Sequence, residues 1–157
     1  MIRSLKNNHA LLLIVVGFLA WLAPGGGHFA LGQRKRAGVI FVTVLLTFAV
    51  GLYAGSIGVI DPLGARAWYF AQVMNSPAVL LLGSHVVAVQ QEFDRQTAEQ
   101  REDASRKVTA EPYRVYGRPG EIGQIYTSIA GLLNLLCIVN AIYVAHRIAI
   151  GEIESTD

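Results

Sequence analysis

The sequence predicts an all-α integral membrane protein with about four hydrophobic helices and one charged cytoplasmic loop. Only 15% of the 157 residues are charged and 53% are hydrophobic, against about 25% charged in ordinary soluble domains. Mean hydropathy is +0.43, and the charges are segregated, gathering in the stretch 90–121 and leaving long apolar runs nearly free of them. These features argue against a soluble enzyme and for a single membrane domain, with spans at approximately 9–31, 37–60, 69–89 and 122–146.

The first run, from Ala10 through Ala23, is broken at Pro24–Gly27 and continues weakly through Gly32. Arg3 and Lys6 followed by an apolar stretch and small residues read as a secretory signal peptide. The alternative is a retained helix whose Pro-Gly-rich end forms a non-helical turn at membrane depth. The second run, Ala37 to Ile60, carries no charge and is the plainest span. Within it Gly51 and Gly55 have the small-xxx-small spacing that lets two helices approach closely. Asp61 and Pro62 end that helix, since proline lacks a donor and biases its predecessor away from helical angles. Trp68, Tyr69 and Phe70 then mark re-entry at an interface. The third run contains Gln72, Asn75, Pro77, Ser84 and His85, so a kinked or interfacial segment competes there with a full span. From Gln90 the composition turns polar; helix-forming residues with no apolar stripe suit a solvated helical extension or a tether. The fourth run, from Ile122, is again free of charge up to His146 and Arg147.

With four spans, Arg34, Lys35 and Arg36 share a side with the basic residues of the long polar segment, which places both basic loops in the cytoplasm and both termini outside. A net charge of +2, with no basic stretch interleaved with aromatics, excludes a nucleic-acid surface. Cys137 is the single cysteine, so no disulfide forms within the chain. The apolar runs hold no paired carboxylates, and the serines follow no nucleophile-elbow pattern. No catalytic residue and no metal site is expected. Haem held between two of His28, His85 and His146 is chemically permissible, but His28 and His146 fall near span ends on opposite sides, and no cofactor is expected.

Two motifs carry a family resemblance. The stretch Trp21 to Gly38, with Pro24, Gly25, Gly27, His28, Phe29, Leu31 and Gly32, resembles the P-G-x-G-H-F-Y-L-G signature of small bacterial membrane proteins related to the TM-two domain, with Ala30 standing where that pattern has Tyr. The stretch Glu121 to Leu136 is similar to the E-I-G-x-x-Y-T-x-x-A-G-L-L-N-L-L run of an uncharacterised membrane family known largely from Planctomycetes and Acidobacteria. The resemblance implies a multi-pass protein of the bacterial inner membrane and favours the retained first helix. It implies no activity.

The expected function is that of a non-enzymatic accessory or assembly subunit of a larger inner-membrane complex, with membrane lipids and other membrane-protein subunits as partners. Gly51, Gly55, Gly131 and Asn134 are its candidate helix-packing residues. His28, Arg34, Lys35 and Arg36 are the candidates for contact with lipid phosphate or an anionic partner. The alternative is a small homo-oligomeric channel or transporter in which Asn134, Asn140 and His85 line a polar path.

Overall fold

In a computed structural model the described residues are 8–103 and 118–152, and their regular structure is helical. In chain order these are α1 (His9–Leu22), α2 (Gly26–Ala30), α3 (Arg34–Gly55), a 3-10 turn (Ile57–Val59), α4 (Arg66–Val73), α5 (Ala78–Asp103) and α6 (Arg118–Ala149). Two of them, Arg34–Gly55 and the Gly120–Ala149 part of α6, are long and apolar enough to cross a membrane.

The other apolar runs break where local chemistry requires it. Ala23, ahead of Pro24, is extended (φ −141°, ψ 130°), as the residue before a proline prefers. Gly25 takes φ 81°, a left-handed angle that costs glycine little, and the chain reverses into α2. The run 69–89 is divided as well. α4 ends at Val73, and α5 restarts where the Ser76 hydroxyl accepts the Ala78 N–H at 3.0 Å, with Pro77 at a first-turn position that needs no donor. The segment 90–121 is helical in its first part, because α5 continues to Asp103, and α6 begins at Arg118. Residues 104–117, with Tyr113 and Tyr116, lie outside the described residues, as do Arg3 and Lys6.

α6 is the axis on which the rest is laid. At 32 residues it is about 48 Å long. α1 packs antiparallel along its C-terminal half, burying Leu12, Val16 and Ala20 with Ala141, Val144, Ala145 and Ile148. Leu31, after α2, rejoins that same cluster, so α1 and α2 form a hairpin that reaches halfway along α6 and returns. α3 then starts at this end and runs the length of α6, its Gly51 and Gly55 meeting Gly123 and Thr127. Arg34, Lys35 and Arg36 therefore start α3 beside the same C-terminal half of α6 along which α1 lies. The cause is the early reversal at Pro24–Gly27.

The chain's second half mirrors this from the opposite end. The 3-10 turn and α4 climb α6 from Thr127 to Asn134, and α5 turns back, with Gly83 against the Tyr69 ring. Val86, Val87, Gln90 and Asp94 come back beside Gly58 and Asp61–Gly64, enclosing a cavity of about 290 Å³. Val44, Phe48, Val59, Ile60, Val79 and Ala130 form the core of this half.

Candidate functional site

The tips of the two hairpins meet at the middle of α6, and the polar residues of the apolar runs gather there. The Asn134 side chain is fully buried. Its Nδ2 donates to Met74 O and Asn75 O, both at 2.9 Å, and reaches Ala20 O at 3.4 Å. One amide thus serves three main-chain carbonyls from both hairpins. The carbonyls at a helix C-terminus have no intrahelical donor, and α1 and α4 both point their C-terminal ends at this spot. The Trp21 Nε1–H supplies a further donor, to Val73 O at 3.1 Å, and joins one hairpin directly to the other.

One to two turns toward the N-terminus of α6 a second group of bonds fastens α4. The buried Gln72 Nε2 donates to Val59 O at 3.0 Å and to the Thr127 hydroxyl at 2.8 Å. The Thr127 hydroxyl donates to the carbonyls of its own helix, Gly123 O at 3.0 Å and Gln124 O at 3.1 Å. The Ser128 hydroxyl bonds Trp68 O at 3.3 Å. Between the two groups lies Gly131. A Cβ there would collide with Ala71 O and would come within 3.2 Å of the Gln72 Cα, so the backbone of α4 rests directly on α6. The side-chain oxygens of Gln72, Asn75 and Asn134 are buried with no protein donor. The junction is rich in acceptors and short of donors.

The expected helix-packing residues all lie at contacts inside the chain. Gly51 faces Thr127, where an added Cβ would lie 2.7 Å from the Thr127 Cγ2, and Gly123 faces Gly55, where a Cβ would lie 2.7 Å from the Gly55 Cα. Gly131 and Asn134 receive the second hairpin. His28 parts from the basic triplet with which the sequence grouped it. Its side chain is 1% exposed and its Nε2 lies 3.1 Å from Asn140 Oδ1, because α2 lays its His28 face against α6. Arg34, Lys35 and Arg36 are exposed. Asn134 and Asn140 are engaged in these separate bonds and His85 is exposed on α5, so no described contact brings these three together along one path.

Trp21, Gln72, Asn75 and Thr127 were not among the expected site residues. For Thr127 the signal is in the sequence: Gly123, Thr127 and Gly131 recur every four residues and Asn134 follows three later, so all four share one helix face. Among the described residues no group of three or more His, Cys, Asp or Glu is placed to hold a metal ion.

The described residues thus form two helical hairpins that close from opposite ends onto one long apolar helix and are held there by amides and close glycine contacts. The chain belongs to a family of unknown function, DUF6677, whose model matches residues 15–154. No curated protein and no solved structure matches it.

Proposed function

We propose that the chain is a multi-pass protein of the bacterial inner membrane and acts, without catalysis, as an accessory or assembly subunit of a larger membrane complex. The observation that carries this reading is the outer face of α3. Phe41, Val42, Leu45, Leu46, Val50 and Tyr53 are exposed there, Tyr53 at 94%, while the glycine face of the same helix is used up against α6. Lipid tails or an apolar helix of a partner suit such a face; water does not. On this reading α3 and α6 cross the bilayer, and the hairpins α1–α2 and α4–α5 enter it from opposite sides in place of two further full spans. Their tips lie at mid-depth, where non-helical backbone is tolerated only if buried in protein; the bonds from Asn134 and Trp21 meet that need. Arg34, Lys35 and Arg36, exposed at one end, contact lipid phosphates or the acidic surface of a partner.

Affinity purification of the tagged protein from native membranes in mild detergent, followed by mass spectrometry, tests the proposal. The expected result is stoichiometric recovery of other membrane polypeptides. A lone homo-oligomer that conducts ions after reconstitution in liposomes overturns it in favour of a channel.

A further inference from the structure

At one end of α6, away from the junction, two histidines come together that the scaffold does not use. His9 opens α1 and His146 lies near the end of α6. The His9 Nε2 and the His146 Nδ1 are 2.9 Å apart. The ring centroids are 4.9 Å apart and the planes differ by 19°, so the two nitrogens lie on facing edges. Both side chains are exposed, and both are carried by backbone that is fixed nearby, because Leu12 and Val16 are buried against Val144, Ala145 and Ile148. The neighbouring charges are already occupied. Arg147 Nε donates to Glu152 Oε2 at 2.8 Å, and its guanidinium lies 5.8 Å from the Tyr143 ring centre.

We propose that His9 and His146 together bind a divalent transition-metal ion of the imidazole-preferring kind, with Cu²⁺ the best fit. Imidazole nitrogens bind such ions at about 2.0–2.1 Å. Two ligands at a right angle are then about 2.9 Å apart, and tetrahedral ones about 3.3 Å. The observed 2.9 Å is the length of the hydrogen bond the two rings share, and it is close enough to the right-angle separation that rotation of the exposed rings brings both lone pairs onto one ion, in the square-planar or tetragonal arrangement that Cu²⁺ and Ni²⁺ favour; Cu²⁺ stands highest in affinity order. One facing nitrogen carries the proton of the hydrogen bond. On binding, that ring moves its proton to its far nitrogen, and the lone pairs of His9 Nε2 and His146 Nδ1 both pass to the ion, with no net proton release. Water completes the coordination. The ion joins the start of α1 to the end of α6, independently of whatever the scaffold assembles with.

The test is a Cu²⁺ titration of the full chain in detergent against a competing chelator, with electron paramagnetic resonance to count bound nitrogens. The expected result is one Cu²⁺ per chain with two imidazole nitrogens. Losing even an outer partner of a metal site costs about 10–100-fold in affinity, so His9→Ala and His146→Ala are each expected to weaken binding at least about tenfold, with an unchanged elution profile. His85→Ala, on α5, serves as the control and is expected to leave it unchanged. Binding that survives both His9→Ala and His146→Ala, or that falls as much in His85→Ala, overturns the site and marks the copper as an adventitious ion only.

Discussion

The two hairpins reach the same point on α6 by different chemistry. The first is mainly dry, the His28–Asn140 bond apart: α1 lies on α6 through Leu12, Val16, Ala20, Ala141 and Ala145, and its return turn is set by close approach. Gly25 sits where a Cβ would lie 2.5 Å from Ala37 O, and Gly27 where one would lie 2.8–2.9 Å from Ala20, Ala141 and the Val16 carbonyl. The second is polar: α4, only eight residues long, is held by Gln72, Thr127, Ser128 and Asn134. The difference follows from length. An eight-residue helix buries too little apolar surface to hold its place, and most of its carbonyls fall within the terminal turns that lack intrahelical donors. Side-chain hydrogen bonds have to do both jobs. The dry hairpin should therefore lose stability in proportion to the volume removed, and the polar one bond by bond.

The largest effect is expected where the polar hairpin touches α6 through bare backbone. Gly131→Leu places a side chain where Ala71 O already sits, and neither backbone can yield without parting α4 from α6. Overpacking of a closed contact costs about 1–3 kcal/mol even when side chains can move aside; here they cannot, and the variant is expected to lose its defined elution profile in detergent. Leu12→Ala comes next, in the dry hairpin. A fully buried leucine cut to alanine leaves a cavity, and unfolding in denaturant is expected to record a loss of about 3 kcal/mol. Asn134→Leu ranks third. It strips the donor from the Met74 and Asn75 carbonyls, at about 1–3 kcal/mol for each group left unsatisfied, but it also removes the Asn134 oxygen that has no donor of its own. A net loss of about 2 kcal/mol is expected. Hydrogen exchange sharpens the contrast: in Asn134→Leu the amides of α4 are expected to exchange faster than those of α1, and equal acceleration of both hairpins would abolish the distinction drawn between them.

Sequence pattern carries some of this and not the rest, for physical reasons. α3 and α6 are legible because an uninterrupted apolar run of that length allows little else. The hairpins are not, because hydropathy records that a segment is apolar and says nothing of where the chain reverses. Pro24–Gly27 reads equally as a break in a span and as the tip of a half-length helix. Gly51 and Gly55 announce a close approach, but small residues carry no address, and the partner in the structure is the same chain's Gly123 and Thr127. His28 stands close to Arg34, Lys35 and Arg36 along the sequence, yet it belongs to α2, which lays it inward against Asn140, while they open α3 and face out. Gln72 was visible as a polar residue that weakened the third span; a buried amide in an apolar run is better read as a demand for a specific partner, here Thr127.

That last pair supports the smallest of the expected effects and the most selective. Gln72→Leu removes the donor to Val59 O and to the Thr127 hydroxyl, and takes with it an oxygen that has no donor. Thr127→Val keeps the shape of the side chain and removes an acceptor whose own proton already goes to carbonyls of the same helix. Each single change exposes one half of the bond, so each is expected to cost about 1 kcal/mol. The double variant leaves neither partner waiting and is expected to cost less than the two added together, with a coupling of about 0.5–1.5 kcal/mol between residues in direct contact. The same cycle run on Leu12 and Ala145, across the dry hairpin, has no donor and acceptor to orphan. If it coupled as strongly as Gln72 with Thr127, the two hairpins would be held by the same kind of packing after all.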